Sequence, residues 1–504
     1  MLGYKRPNQP NFRNSANLQR IDSISASRRF FDYTLNGRKA SRGSAHLSIP
    51  SDIKQVFESN SIQYGLQAID ADPHNSRYQS ALAKVTILAD DHGKIQCILP
   101  SNRLLDLETI RSQTARPQLK AASIESLELF KNKLGLKFIP PLPEITGLPT
   151  FVDIDLLKVK AVYFSWESDS QLIKLATPEF QRLLGEAEPL SFSKSIIHED
   201  NASYENDKAI FAKAVENFTT LRIKQRLEET LELPPLKETA QQIIKLRVNP
   251  NADLDDLASI VETDPSLAAQ VVSWAGSPYY AAPGQIRSVH DAIIRVLGFD
   301  LVINLALGLA LGKSLKVPRS GPQSVTPYWQ QAIFTAATLE GLVAIIPKNQ
   351  RPETGLAYLA GLLHNFGYLV LSHVFPPHFQ QICQYIDANP NINYIHIEKH
   401  VLGLTRDQMS AVLMRIWNMP EEIYTALRYQ HDGDYIGEDF IYPNLIFLAT
   451  RLLKTRSIGH VADQSIPDQL FQRLGIDPDK ANNVIDHVLA SASDLEPLAQ
   501  LFNR

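Results

Sequence analysis

The sequence predicts two folded parts in one chain, an α+β domain within the first 190 residues and an all-α helical bundle after it. Three observations predict this. At 504 residues the chain is too long for one core, because single cores stop growing at roughly 250–300 residues. Short β-rich runs bounded by turn residues occur before residue 190, and none of comparable clarity follows residue 220. The second half is also punctuated at regular intervals by residues that start and stop helices.

Residues 1–45 read as a flexible basic tail. Nine Lys and Arg residues there face only Asp22 and Asp32, and such a stretch buries too little apolar surface to offset its ordering entropy. An anion-binding arm is the alternative, and Phe30, Phe31 and Tyr33 offer an aromatic cluster able to dock on the body.

Residues 46–190 form the α+β domain. Val85 and Ile87, then Asp90-Asp91-His92-Gly93, then Ile95, Cys97 and Leu99 read as two strands joined by a Gly-containing turn. Ser123 caps a helix running to Leu134, and Ile139-Pro140-Pro141-Leu142-Pro143 is a rigid loop. Phe151-Val152-Asp153 and Ala161-Val162-Tyr163-Phe164 are β-rich.

A polar stretch, 191–220, reads as a linker. The helical domain follows over 221–431, with further helices at 432–504 packed on it. Pro234-Pro235 opens one helix whose buried stripe is Ala240, Ile243, Ile244 and Leu246. Asp253 caps the next, and Asp264-Pro265 is a cap followed by Pro at the first helical position. Gly276, Gly298 and Gly321 fall where helices should stop.

Composition excludes several classes. Hydrophobic residues make up 44% and charged residues 21% of the chain, as in soluble globular proteins. A net charge of −4 argues against a generally nucleic-acid-binding surface, though not against a local basic patch. Two distant cysteines, Cys97 and Cys383, suit a reducing cytoplasm and give no disulfide framework. The most apolar run, Leu301 to Leu311, is too short to cross a bilayer and carries Asn304. The N-terminus lacks the apolar segment of a secretory signal. A cytoplasmic protein without membrane association is the expectation.

Six motifs in the helical half carry a resemblance. They are Glu232-Leu233-Pro234-Pro235-Leu236, Asp264-Pro265-Ser266-Leu267, Ser277-Pro278-Tyr279-Tyr280, Ala292 to Gly298, Gly361-Leu362-Leu363-His364-Asn365-Phe366-Gly367 and Trp417 to Ile423. In this order they resemble the HDOD domain, the HD-related output domain of bacterial signalling proteins. The resemblance implies an all-α fold related to metal-dependent HD phosphohydrolases and used as a regulatory module.

The resemblance also locates the positions of metal ligands, and the chain departs from the hydrolase pattern there. Trp329-Gln330-Gln331 stands for Trp-Arg-His, His364-Asn365 for His-Asp, Arg406 for a later His, and Gln430-His431 for a His-His pair. Two hard divalent cations need an anionic bridging carboxylate and several neutral imidazoles. Asn365 offers one neutral amide oxygen, while Gln331 and Gln430 are poor substitutes for imidazole. Arg406 would repel the ions by on the order of 4 kcal/mol at contact distance. No metal and no cofactor is therefore expected. His364 reads as a buried histidine held by hydrogen bonds, or as part of a polar pocket that binds without metal. His396 and His400 lie four apart around Glu398, on one helix face. They have no third ligand, and a solvated face is the expectation; Glu398 fits an acidic position of the family.

The first domain is similar to the YbaK-like trans-editing aminoacyl-tRNA deacylases. The matching pieces are Ala83 to Leu88, the turn at Gly93, Leu104-Leu105-Asp106-Leu107 and Leu148 to Asp153. The resemblance implies a pocket shaped by Lys84 and by a Gly-rich loop that maps to Leu134-Gly135-Leu136-Lys137-Phe138-Ile139-Pro140. That loop keeps one glycine, where backbone would need to approach a ligand unhindered.

The resulting expectation is a non-catalytic bacterial regulatory protein, relaying signals by binding a small ligand or a protein partner. The alternatives are a deacylase acting on mischarged tRNA, with tRNA as its partner, and a phosphohydrolase using replacement ligands.

Overall fold

We describe a computed structural model of the chain. It describes residues 49–501 apart from 69–75, 167–170, 197–203, 225–235, 283, 313–314, 324–325 and 460–464. The expected basic tail, its aromatic cluster and Pro234-Pro235 lie outside the described residues.

The first half alternates strands and helices. Its elements are α1 (Ser51–Ser59), β1 (Tyr64–Ala68), β2 (Ala83–Asp90), β3 (Gly93–Pro100), β4 (Arg103–Leu105), α2 (Leu107–Gln113), β5 (Lys120–Ala121) and α3 (Ile124–Leu134). Then come β6 (Thr150–Asp153), β7 (Ala161–Phe164), β8 (Gln171–Ala176), α4 (Thr177–Leu184), β9 (Glu188–Leu190) and β10 (Ser193–Ser195). Five strands form one sheet in the order β5-β2-β3-β6-β9, three form a second, β1-β8-β7, and β10 pairs with β4. The turn between β2 and β3 is the expected one. Asp90 Oδ1 accepts from the His92 N–H at 2.8 Å, and Gly93 has φ 112°, which a side chain would strain.

The main sheet is apolar on both faces. Successive side chains of a strand alternate between faces, and Ala83, Ile98 and Val152 join a core with Ile53 and Phe57 of α1. Leu88, Ile95, Cys97 and Leu99 point the other way, into a core continuous with the helical half. The helical half thus covers one face of the sheet.

The second half contains helices only, among the described residues. They are α5 (Tyr204–Lys224), α6 (Glu238–Arg247), α7 (Leu254–Glu262), α8 (Pro265–Ala275), α9 (Phe299–Gly312), α10 (Tyr328–Ile345), α11 (Thr354–Leu363) and α12 (Phe366–Val374). These are followed by α13 (Pro376–Ala388), α14 (Tyr394–Leu402), α15 (Arg406–Ile416), α16 (Glu421–Tyr429), α17 (Ile441–Lys454), α18 (Asp468–Leu474), α19 (Pro478–Ala490) and α20 (Ala492–Leu501). Asp253 caps α7 in a reciprocal capping box and Asp264 caps α8, as their sequences require. Ala240, Ile243, Ile244 and Leu246 are buried on α6.

Two expectations need correction. Residues 191–220 are not a plain linker, because they hold β10 and most of α5. Asp207 of α5 is buried, takes a hydrogen bond from Gln408 Nε2 at 2.6 Å and is ion-paired with Arg428. A carboxylate so held fastens α5 to α15 and α16. Gly321 ends no helix, since α9 stops at Gly312.

One stretch, Thr354–Val374, is apolar and long enough to span a bilayer, but 83% of that window is buried inside the protein. It serves as the central packing element. At Gly361 an added Cβ would lie 2.7 Å from the Ala336 Cα, so α11 and α10 meet backbone to backbone.

Candidate functional site

The polar centre of the helical half is built at a break in that stretch. His364 and Asn365 fall between α11 and α12, where the helical hydrogen-bond ladder stops and carbonyls need other partners. Side chains supply them. His364 Nδ1 meets the Gly361 carbonyl at 2.7 Å, and Gln430 Nε2 donates to the His364 carbonyl at 2.8 Å. The first contact puts the ring proton on Nδ1 and leaves Nε2 as a lone pair. His364 is 4% exposed, and its Nε2 has no hydrogen-bond partner among the described residues.

Arg406 opens α15 and occupies the middle of the centre. Its guanidinium is ion-paired with Glu398 through Nε, and Nη1 donates to Asn365 Oδ1 at 3.2 Å. The same Glu398 carboxylate accepts from the Arg406 backbone N–H at 2.8 Å, an anion at a helix N-terminus. The guanidinium lies 4.0 Å from the Tyr394 ring centroid and 5.2 Å from that of Tyr368. Glu398 is fully buried and Arg406 is 5% exposed. Burial pushes the Glu398 carboxyl up while Arg406 opposes it; for Arg406, burial is outweighed by the carboxylate and the guanidinium stays charged.

A second set adjoins the first. Gln430 Nε2 donates to Asp407 Oδ1 at 2.9 Å, and His431 Nε2 lies 2.5 Å from the Tyr394 hydroxyl and 3.5 Å from Asp407 Oδ2. Burial, followed by the Glu398 charge, pushes Asp407 up to about 8. Burial together with the charges of Arg451 and Arg406 holds His431 well below the usual range, so its ring is neutral. His431 Nδ1 is a second buried ring nitrogen without a partner among the described residues.

The sequence-derived positions His364, Asn365, Arg406, Gln430 and His431 therefore come together. Gln331 does not join them: it is buried on α10, with its amide beside Gly459. The donor set does not fit a pair of divalent cations. Asn365 Oδ1 is engaged by a guanidinium, Glu398 is neutralised by the same group, and Gln430 spends its amide nitrogen on a carbonyl and Asp407. Among the described residues no three His, Cys, Asp or Glu side chains are gathered for a metal. His396 and His400 gather none either. His400 is half-buried rather than on a solvated face, 3.9 Å from Asp106 Oδ1 and beside the Tyr385 ring. Sequence reading missed Tyr394, Asp407 and Asp207, each of which sits within a polar neighbourhood that only the fold assembles.

In the first half the two expected pocket residues are not brought together. Lys84 pairs with Leu99 and Gln96 with Ile87 across β2 and β3, so Lys84 and Gln96 point to opposite faces. Gln96 Nε2 holds the Pro140 carbonyl at 2.9 Å, which places the loop after Gly135 on the face away from Lys84. Gly135 itself ends α3 with φ 67°, a left-handed helix stop. Lys84 is half-buried beneath the α13–α14 corner, and burial lowers its amine to about 7.

These features define a class: an α+β domain joined to an all-α helical domain with a buried arginine–glutamate pair at its polar centre. Residues 233–433 match the HDOD domain family, so the chain carries an HDOD domain. A solved structure of a Marinobacter aquaeolei VT8 protein, whose name assigns it to signal transduction, is 40% identical with a TM-score of 0.81. It covers 91% of this chain and 100% of its own. A Treponema pallidum (strain Nichols) protein is 22% identical over 278 residues, 55% of this chain, and the chain spans about half the length of that curated relative (52%). The N-terminal domain resembles a trans-editing enzyme for prolyl tRNA synthetase, at 17% identity and a TM-score of 0.24, over 28% of this chain and 95% of that one.

The buried imidazole gives a pH prediction. Burial lowers His364 to about 4 from an unfolded value of 6.5. Between those values the unfolded chain binds a proton that the folded chain refuses, so stability falls as pH drops from 6.5 towards 4. The loss should reach about 3 kcal/mol at most. Urea titrations of the wild type and His364→Gln between pH 7 and 4 should show a flatter acid limb in the variant; parallel limbs would refute the assignment.

Proposed function

We propose that the protein is a regulatory protein of the cytoplasm that relays signals by binding a small ligand or a protein partner at a metal-free HDOD domain. The observation that carries this reading is the Arg406–Glu398 pair, with Asn365 on the same guanidinium. A permanent cation there performs the charge balancing that a metal would, without the Lewis acidity or the activated water. Two buried ring nitrogens, His364 Nε2 as an acceptor and His431 Nδ1, remain available to hydrogen-bond a ligand. The HDOD domain at residues 233–433 and the signal-transduction relative support a regulatory role.

Elemental analysis of protein purified without chelator is the test, paired with a phosphodiester and nucleotide hydrolysis assay in added Mg²⁺ and Mn²⁺. The expected result is substoichiometric metal and background hydrolysis. Stoichiometric metal that is lost in His364→Ala would overturn the reading.

The same reading gives the N-terminal domain a deacylase-like fold without efficient deacylation. Ester cleavage on tRNA needs an acyl pocket, oxyanion stabilisation and a basic surface for phosphates. Lys84 is engaged by neighbouring oxygens, and Gly135 serves as a helix stop before a loop whose Pro140 is held on the other face of the sheet. Release of amino acid from mischarged aminoacyl-tRNAs, abolished by Lys84→Ala, would favour the enzyme instead.

A further inference from the structure

The face of the sheet that carries Lys84 is closed by residues nearly 300 positions further along the chain. Asn389, at the end of α13 and fully buried, uses both ends of its carboxamide on the backbone of one residue. Its Oδ1 accepts from the Leu105 N–H at 2.7 Å, and its Nδ2 donates to the Leu105 carbonyl at 3.1 Å and to the Tyr385 carbonyl at 3.0 Å. A neighbouring strand would satisfy the edge of β4 in the same manner. Asn391, exposed on the corner between α13 and α14, accepts from Lys84 Nζ at 3.1 Å through Oδ1 and donates to the Ser101 carbonyl at 2.9 Å. Lys84 Nζ also reaches the Arg103 carbonyl at 3.0 Å and Asn389 Oδ1 at 3.4 Å. Thr86 Oγ1, on the same face, donates to the Ala388 carbonyl at 3.2 Å.

The character of these contacts is unusual for a structural lysine. An ammonium buried to hold two domains together is expected to meet a carboxylate, since a charge taken from water is otherwise poorly compensated. Among the described residues Lys84 has no ion pair, and every oxygen around it is a neutral amide or carbonyl. The lowered amine, near 7 through burial, follows from that setting. Two carboxamides thus meet an amine and a free peptide edge, as the carbonyl and N–H groups of a bound ligand would. Neutral hydrogen bonds of this kind contribute only about 1 kcal/mol each against water, so the polar contacts of the corner exchange at little cost while the apolar side of α13 stays in the shared core. Its two arms differ in depth: Asn389 is the buried anchor and Asn391 the exposed latch.

We infer that the α13–α14 corner is a built-in plug, in which Asn389 and Asn391 occupy the Lys84–Leu105 site and withhold the Lys84 amine from acyl compounds until the corner withdraws. Withdrawal would be tied to the helical half, because α14 continues from the corner into Tyr394 and Glu398 of the polar centre. The plug stands independently of what that centre binds.

Trace acetylation of the full chain with acetic anhydride at pH 8, read by peptide mass spectrometry against the exposed Lys54, tests it. Lys84 should react about tenfold more slowly than Lys54 in the wild type, as expected of a group reached only through local opening. Asn391→Ala, at an exposed position, should raise the Lys84 rate several-fold, and Asn389→Ala combined with it should bring the rate close to that of Lys54. Asn391→Asp, which places a carboxylate on the amine, should slow it below the wild type. Should the combined variant fail to fold, the two Asn391 variants still decide the matter through their opposite signs. Wild-type labelling as fast as Lys54, or no change in both Asn391 variants, would overturn the plug.

Discussion

Arg406→Ala should lower the free energy of unfolding of the helical domain by about 3–5 kcal/mol, the usual cost of stripping one partner from a buried ion pair. The size follows from what is left behind. Glu398 has no exposure to water, and without the guanidinium its carboxylate keeps only the N-terminal N–H of α15. Asn365 loses its donor, and the faces of Tyr394 and Tyr368 lose the cation beside them. Urea denaturation followed by Trp417 fluorescence measures this, since Trp417 packs on Phe366 next to the centre. The double variant Arg406→Met with Glu398→Gln should recover much of the loss, because it removes the charge together with its counter-charge. A change below about 1 kcal/mol in Arg406→Ala would mean the pair is solvated like a surface pair, and the centre would then have to be redrawn.

Leu363→Ala should cost about 2–5 kcal/mol, as truncation of a fully buried leucine does when neighbours cannot collapse into the space. Leu363 has no exposed surface and sits on α11, which packs against α10 with no room for rearrangement at Gly361. His364→Ala, one residue on, should cost less. It removes one side-chain contact to the Gly361 carbonyl together with an unsatisfied buried nitrogen. The same denaturation series compares the two. A larger effect at His364 than at Leu363 would show that the break between α11 and α12 depends on the imidazole rather than on its apolar flanks.

Local grammar made much of the fold legible. Asp253, Asp264 and Ser123 were readable as caps because a cap needs only a short polar side chain next to an apolar repeat. The hairpin at Asp91-His92 was readable for similar reasons. The contacts that organise the centre were not readable. Asp207 meets Gln408 and Arg428 across more than 200 residues, within a stretch whose composition resembles a linker. Asn389 meets Leu105 across 284 residues, and nothing near Asn389 marks it as a replacement for a strand. The resemblance puts Lys84 and the Gly135 loop in one pocket, but strand parity counted through Gln96 puts Lys84 and the Pro140 end of that loop on opposite faces of the sheet.

Gly367 closes the segment that begins at Gly361, and a Cβ there would overlap the Arg406 carbonyl and the Ser410 hydroxyl. The two glycines of that heptapeptide thus answer to different neighbours, the backbone of α10 and the backbone of α15, and neither answers to a ligand. Side chains between them can be exchanged as long as their volumes agree, which is how an amide can stand at Asn365 without disturbing the helices. The glycines admit no such exchange. Packing therefore holds the ends of this heptapeptide more tightly than its middle, so its outline reports shape and is no guide to activity.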